Sequence, residues 1–373
     1  MLATTEISGS QRAWVCHAIR EIEADATRSA DTHLLRLDLP MLGGVRIYLK
    51  DESVHPSGSL KHRLARSLVL YGICNGWIHE GTTLIEASSG STAISEAYFA
   101  RLLQLPFAAV VPNTTAPQKL AAIAHFGGQI HPVPASDIAD ALAAIVRETG
   151  GHYIDQFTYA ERATDWRGNN NIAQSLFSQM AREPQPEPDW IVVGAGTGGT
   201  SATLGRFIRY QPRLAARCRL CVVDPEHSAF FPAFAGREAV GELRASQVVE
   251  GVGRPRVERS FIPTVVDQMI RVPDAASVAA ARWLSARLGR RVGPSTGLNF
   301  LGCLQLAGER HAAGQPGAIA SLICDGGERY GATIFQDDWV RAQGLDLAPW
   351  TAAFECFERT GQLGVRFDAV LRP

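Results

Sequence analysis

The sequence has no excess of charge of either sign, since 36 lysines and arginines stand against 37 aspartates and glutamates in 373 residues. A formal net charge of −1 offers no field that would gather a polyanion, so nucleic acid is not an expected partner. No apolar run approaches the roughly 18 residues that a bilayer span needs, and the first twenty residues lack a basic head followed by an apolar core. A cytoplasmic protein with no membrane partner is the expectation. The seven cysteines are odd in number and scattered, which suits reduced thiols and not a disulfide framework. Cys218-x-x-Cys221 lacks the two further ligands a zinc site requires and reads as two core thiols. The ten histidines form no His-x-x-x-His pair, so no metal centre is expected. Internal repeats and low-complexity tracts are also missing.

What is present is apolar content and glycine. The hydrophobic set makes up 46% of the chain, enough for about two domains with their own cores, and many of the 35 glycines cluster. Apolar bursts of strand length alternate with longer helix-like patterns, the signature of an α/β fold. The series predicts an extended segment at Val45–Leu49, a helix from about Ser59 to Asn75, a strand at Thr83–Ala87 and a helix at Ser91–Leu103. After these come a strand at Phe107–Val111, a helix at Ala116–Phe126 stopped by Gly127-Gly128, and a short strand near Ile130–Val133. A second series begins with a strand at Trp190–Val193, a helix at Thr200–Tyr210 and a strand at Leu220–Val223. The polar, proline-containing stretch Arg182–Asp189 between the two series reads as a loop.

Four segments have the makings of chemistry. Gly194-Ala-Gly196-Thr197-Gly198-Gly199-Thr200 lies between a strand and a helix, where backbone N–H groups and the helix dipole favour an anion such as phosphate. Its Gly194-x-Gly196-x-x-Gly199 spacing also fits a dinucleotide fingerprint, with Asp224 about 25 residues on as a ribose-binding acid, so an NAD(P)-dependent oxidoreductase stays open at this point, as does a tight turn without ligand. Ser88-Ser89-Gly90-Ser91-Thr92 again follows a strand and opens a helix, either as an ordinary N-cap or as a seat for a carboxylate. Lys61 falls in the first turn of a helix after Pro56-Ser-Gly-Ser. A lone lysine is usually a solvated charge, but one buried against a cofactor becomes a nucleophilic amine. Gly293-Pro-Ser295-Thr-Gly297 has the form of a hydrolase nucleophile elbow. That chemistry needs an acid and then a histidine downstream, and the only histidine after Ser295 is His311.

Taken together, Pro56-Ser-Gly-Ser-Leu-Lys61, Ser88-Ser-Gly-Ser-Thr92, Gly196-Thr-Gly-Gly-Thr200, Gly293-Pro-Ser295-Thr-Gly297 and Asp325-Gly-Gly-Glu-Arg-Tyr330 resemble, in order and spacing, the cysteine synthase and cystathionine β-synthase family. The resemblance covers roughly residues 40 to 335. It implies pyridoxal 5′-phosphate as cofactor and two three-layer α/β domains of the tryptophan-synthase β fold (fold type II), with the cofactor in the interdomain cleft. The implied division is a smaller domain over 45–155 and a larger one over 1–44 and 156–373. The roughly 40 residues after Tyr330 are too few to suggest an appended regulatory domain. Relatives of this kind are commonly homodimers.

Carried over residue by residue, Lys61 matches the lysine that holds the cofactor as an internal Schiff base and later acts as the base at Cα. Gly196, Thr197, Gly198, Gly199 and Thr200 match the phosphate loop, and Ser295 matches the hydroxyl facing the pyridine nitrogen. Ser88, Ser89, Gly90 and Thr92 resemble the loop that takes the substrate carboxylate, with Gln156 beside it, and Glu250-Gly-Val-Gly253 is similar to a segment near the cofactor. Ser91 stands where cysteine synthases place an asparagine that contacts the cofactor ring, and Ala93 stands in place of a glycine. The longer runs Glu86–Ala97, Val249–Arg256 and Arg291–Gly297 look like those of stand-alone bacterial L-cysteine desulfhydrases. The implied reaction is α,β-elimination of L-cysteine to hydrogen sulfide, pyruvate and ammonia. β-Replacement, as in cysteine synthase or cystathionine β-synthase, is the alternative. His62 is expected to pack and not to catalyse, and Arg254 and Arg256 to be exposed.

Overall fold

The computed structural model describes residues 9–28, 30–238, 242–243, 246 and 248–372. In chain order its elements are α1 (Gly9–Thr27), β1 (His33–Leu37), β2 (Val45–Asp51), α2 (Lys61–Cys74), β3 (Leu84–Glu86), α3 (Ser91–Leu102), β4 (Phe107–Pro112), α4 (Pro117–His125), β5 (Gln129–Val133), α5 (Ile138–Thr149) and β6 (His152–Tyr153). They continue as α6 (Gln156–Ala163), α7 (Ile172–Met180), β7 (Trp190–Gly194), α8 (Gly199–Tyr210), α9 (Pro212–Ala215), β8 (Arg219–Pro225), α10 (Phe230–Ala235), β9 (Gln268–Val272), α11 (Asp274–Leu288), α12 (Pro294–Ala312), β10 (Gly317–Ile323), α13 (Asp337–Ala342), α14 (Ala348–Thr360) and β11 (Asp368–Leu371). Each strand and helix expected from the apolar pattern is present, and Arg182–Asp189 contains neither. No helix of the described residues is long and apolar enough to cross a membrane.

The chain forms two compact units, one from Met1–Asp31 and Lys61–Tyr159, the other from Thr32–Leu60 and Ala160–Pro373. This differs from the expected division at both N-terminal borders. β2 belongs with the second unit because it lies parallel to β10 in register, Ile47 opposite Ile319, and antiparallel to β1. α1 belongs with the first, where it buries Ala18 and Ile22 and its Asp25 accepts a 2.6 Å hydrogen bond from Tyr98 of α3.

The first unit holds a parallel four-stranded sheet in the order β5-β4-β3-β6. Ile138, Ala141, Leu142 and Ile145 recur on one face of α5, as a helix period requires, and pack with Ile85, Ala108 and Val110 of the sheet. From β3 the chain steps outward to β4 and β5, then returns to place β6 on the other flank of β3. The strand order therefore reverses at β3/β6.

The second unit holds a seven-stranded sheet, β1-β2-β10-β7-β8-β9-β11, parallel except for the pairs β1–β2 and β9–β11. Its central strands are uniformly buried, as in Val192, Val222 and Ile319, because helices cover both faces. β7, β8 and β9 step one way and β10 returns on the other flank of β7, so the order reverses at β7/β10. In open α/β sheets the crevice beyond the carboxyl ends of the strands at such a reversal is where ligands bind. Each unit has one.

Candidate active site

In the first unit β3 ends at Glu86 and the chain turns through Ser88, Ser89 and Gly90 into α3, at the reversal point. Ile94 is the first α3 residue whose amide reaches a helical acceptor, Gly90 O at 3.3 Å. The amides of Ser91, Thr92 and Ala93 precede it, and the dipole at this end favours a carboxylate. Ser88 to Ser91 are partly exposed, and Ser88 Oγ accepts from the Gly90 amide at 3.3 Å. Thr92 is buried and donates to Gln156 Oε1 at 2.8 Å, while the Gln156 amide donates to Glu86 Oε2 at 3.3 Å. The turn after β3 is thereby tied to the turn after β6, and the structure brings together the residues assigned to the substrate carboxylate.

The sequence contains only three lysines. Lys50 is fully buried and committed, donating to Thr32 O at 2.8 Å and Gln179 Oε1 at 2.7 Å. Lys119 sits in the first turn of α4, after β4 and not at the strand reversal. Lys61 opens α2 and is partly exposed. His62 next to it is buried between the rings of Tyr98 and Phe99, with Asp25 at 3.9 Å, which is a packing role.

In the second unit the Gly194–Thr200 turn joins β7 to α8 at the reversal point. Gly198 has φ +90°, and a Cβ there would meet the backbone of Phe261 at 2.4 Å, so only glycine fits. At Gly196 a Cβ would lie 2.2 Å from the Gly251 carbonyl oxygen. The Glu250–Gly253 segment is thus seated on the loop, held also by the Gly253 amide bonding Ala195 O at 2.8 Å. Thr197 Oγ1 accepts from the Gly199 amide at 3.2 Å and so steadies the turn. The first helical acceptor is taken by Ala202, to Gly198 O at 2.9 Å, which leaves the preceding amides, Thr200 among them, pointing out of the helix end.

Ser295 is the second residue of α12 and is buried. Its helix starts beside the end of β10: the Gly293 amide bonds Asp325 O at 3.4 Å, the Cys324 amide bonds Thr296 Oγ1 at 3.0 Å, and Val292 bridges to Gly326. Ser295 and the glycine loop therefore stand at the carboxyl ends of adjacent strands. Asp325 accepts from Tyr330 Oη at 2.7 Å on one oxygen and has no partner on the other, and burial pushes its carboxyl up to about 6. Asp325 opens the Asp325–Tyr330 motif, to which the sequence assigns no role of its own.

Asp224 does not act as a ribose acid. It is fully buried, and its Oδ2 accepts from the Phe231 amide at 2.8 Å. Burial raises its carboxyl to about 7, so the folded protein keeps a proton there that the unfolded chain has lost. Stability from this group is full below the unfolded carboxylate range and is lost as pH rises through 7. Asp224→Asn should therefore shrink the fall in Tm between about pH 5 and about pH 8, measured by thermal melts; an equal fall in both proteins would contradict it. Cys218 and Cys221 are buried free thiols, as the sequence suggests. Arg254 and Arg256 both pair with the buried Glu258, at 2.9 and 3.4 Å, and only Arg256 is exposed.

The donor set fits pyridoxal phosphate. In the second unit a glycine turn at a helix N-terminus suits its phosphate and a buried hydroxyl at the same strand reversal suits its ring nitrogen; in the first unit Lys61 is an amine of the kind that takes its aldehyde. The chain belongs to the pyridoxal-phosphate dependent enzymes, whose family model matches residues 28–325. It is 58% identical over 363 residues to the L-cysteine desulfhydrase Cds1 of Mycobacterium tuberculosis, covering 96% of this chain and 98% of that one. To the cysteine synthase of Aquifex aeolicus it is 28% identical over 298 residues, 79% of this chain and 85% of that one. The crystal structure of O-ureido-L-serine synthase matches with a TM-score of 0.71 at 23% identity, over 86% of this chain and 98% of that one, which shows the shared type II fold.

Proposed function

We propose that this chain is an L-cysteine desulfhydrase, converting L-cysteine and water to hydrogen sulfide, pyruvate and ammonia. The observation that carries the reading is the 58% identity to an L-cysteine desulfhydrase along nearly the whole of both chains. Bound pyridoxal phosphate supplies an electron sink for the pair left on Cα when its proton departs.

The protein's own residues do the rest. Amides at the start of α8, in a loop whose packing on Gly251 and Phe261 only Gly196 and Gly198 permit, would bind the phosphate and fix the cofactor's pose. The buried Ser295 hydroxyl would serve the ring nitrogen; being neutral, it would not force a proton onto the ring as a carboxylate would. Ser88, Ser89, Gly90 and Thr92, with Gln156 behind them, hold the substrate carboxylate so that the Cα–H bond is presented to a base. Lys61 Nζ would hold the cofactor's aldehyde and, as a free amine, would serve as that base. Ser91, shorter than asparagine, would give the ring a weaker contact or one bridged by water. The enzyme acts in the cytoplasm as a homodimer, which size-exclusion chromatography tests at about twice 40.3 kDa.

Purified protein given L-cysteine alone should release sulfide and pyruvate in equal amounts. Sulfide released only when a second thiol is added would instead assign β-replacement.

A further inference from the structure

Asp325, buried just beyond the carboxyl end of β10, has no part in the mechanism above. Its Oδ2 accepts from Tyr330 Oη at 2.7 Å, and its Oδ1 has no hydrogen-bond partner. A buried oxygen left without a donor is costly, so its presence in a fold calls for a reason. The unpartnered oxygen lies against the start of α12. A Cβ on Gly293 would meet it at 1.9 Å and would meet Tyr330 Cε2 at 2.9 Å, so only glycine lets the carboxyl and the ring sit there. The carboxyl cannot swing aside, because Tyr330, itself buried, holds its other oxygen.

Gly293 is the residue before α12, and Ser295 is the second residue within it. Both sides of Ser295 are fastened to the end of β10: the Gly293 amide donates to Asp325 O at 3.4 Å, and the Cys324 amide donates to Thr296 Oγ1 at 3.0 Å. Gly293 O in turn accepts from the Thr296 amide at 3.1 Å, and the ring of Pro294 fixes its φ, so the turn that carries Ser295 has little freedom. On the far side a Cβ on Gly297 would lie 2.2 Å from Ser277 O of α11, which stops the helix from moving that way. Among the described residues no hydrogen bond holds the Ser295 hydroxyl itself. Its aim is therefore set by the start of the helix, and the start of the helix rests on Asp325.

We propose that Asp325 is a positioning residue for Ser295: with one carboxyl oxygen held by Tyr330 and the other wedged against Gly293, it fixes the start of α12 and with it the direction of the Ser295 hydroxyl. The proposal rests on the reading of Ser295 as the group that serves the cofactor's ring nitrogen. It also gives a reason for the unpartnered oxygen, since a donor seated on it would stand in the space that Gly293 takes.

The test follows the bound cofactor in holoenzyme carrying Asp325→Ala, Ser295→Ala or both, by its rate of release on dilution and by the position of its visible absorption band. Each single change should speed release by about tenfold, the worth of one misdirected hydrogen bond, and both should shift the band the same way. Because the two residues act through one hydroxyl, the double variant should do no more than either single one. Asp325→Asn keeps an oxygen for Tyr330 and a planar group against Gly293, so it should return both readouts toward wild type. Should Asp325→Ala fail to fold, Gly293→Ala, whose Cβ displaces the carboxyl, takes its place in the same cycle. A double variant whose effect is the product of the single ones means that Asp325 acts apart from Ser295, and an Asp325→Asn protein as altered as Asp325→Ala means that its shape is not what it contributes; either overturns the proposal. Wild-type release and absorption in Ser295→Ala overturn the reading of Ser295 and this inference with it, whereas an altered Ser295→Ala beside an unaltered Asp325→Ala overturns this inference alone.

Discussion

Lys61→Ala should yield a folded protein without the visible absorption of the wild type, and its turnover of L-cysteine should fall by about 10³-fold or more. The size of the effect follows from two functions lost together, covalent retention of the cofactor and proton removal at Cα. No other amine can substitute. The chain has two further lysines, and Lys50 is buried with its ammonium donating to Thr32 O and Gln179 Oε1, while Lys119 sits on α4 away from the strand reversal. Lys61 opens a helix whose buried face, Ala65, Leu68 and Val69, does not depend on it, so the substitution should leave folding intact. A Lys61→Ala protein that keeps wild-type turnover would contradict the assignment, and an absorption and melting comparison separates loss of chemistry from loss of fold.

Gly196→Ala should weaken cofactor binding by roughly 10²-fold, the scale of a misplacement of about 1 Å in a site built on position. The added Cβ would lie 2.2 Å from the Gly251 carbonyl oxygen, and backbone, unlike the tip of a flexible side chain, cannot swing aside. Either the loop lifts off the Glu250–Gly253 segment or the segment moves, and in both cases the amides at the start of α8 lose their aim. The effect should appear as a higher cofactor concentration for half-saturation, read by absorption, with little change in turnover once the protein is saturated. Unaltered half-saturation would mean that the loop is not where the phosphate binds.

The alternating architecture was legible in the sequence because central strands of parallel sheets are apolar throughout and the helices between them keep a period. Phe107–Val111 and Trp190–Val193 are cases in which no other assignment competes. The first helix was not legible. α1 buries only Ala18 and Ile22 along nineteen residues, too weak a stripe to announce that 9–28 joins the unit of Lys61. Likewise β2 reads as a strand, but its partner β10 lies some 270 residues away, and register over such a distance leaves no local mark.

Within the candidate site, glycine and serine turns stood out because their backbone requirements restrict residue type. Asp224 misled for a related reason: an acid ending a strand after a glycine loop fits a ribose, and only the fold shows that the Phe231 amide claims it. The tie between Thr92 and Gln156 is a product of tertiary packing and leaves no mark in the sequence.

The most direct measurement reduces the holoenzyme with borohydride, digests it and locates the cofactor by mass spectrometry. A pyridoxyl modification on the peptide bearing Lys61, and on neither Lys50 nor Lys119, is the result this account predicts. Modification of another lysine, or of none, would contradict it.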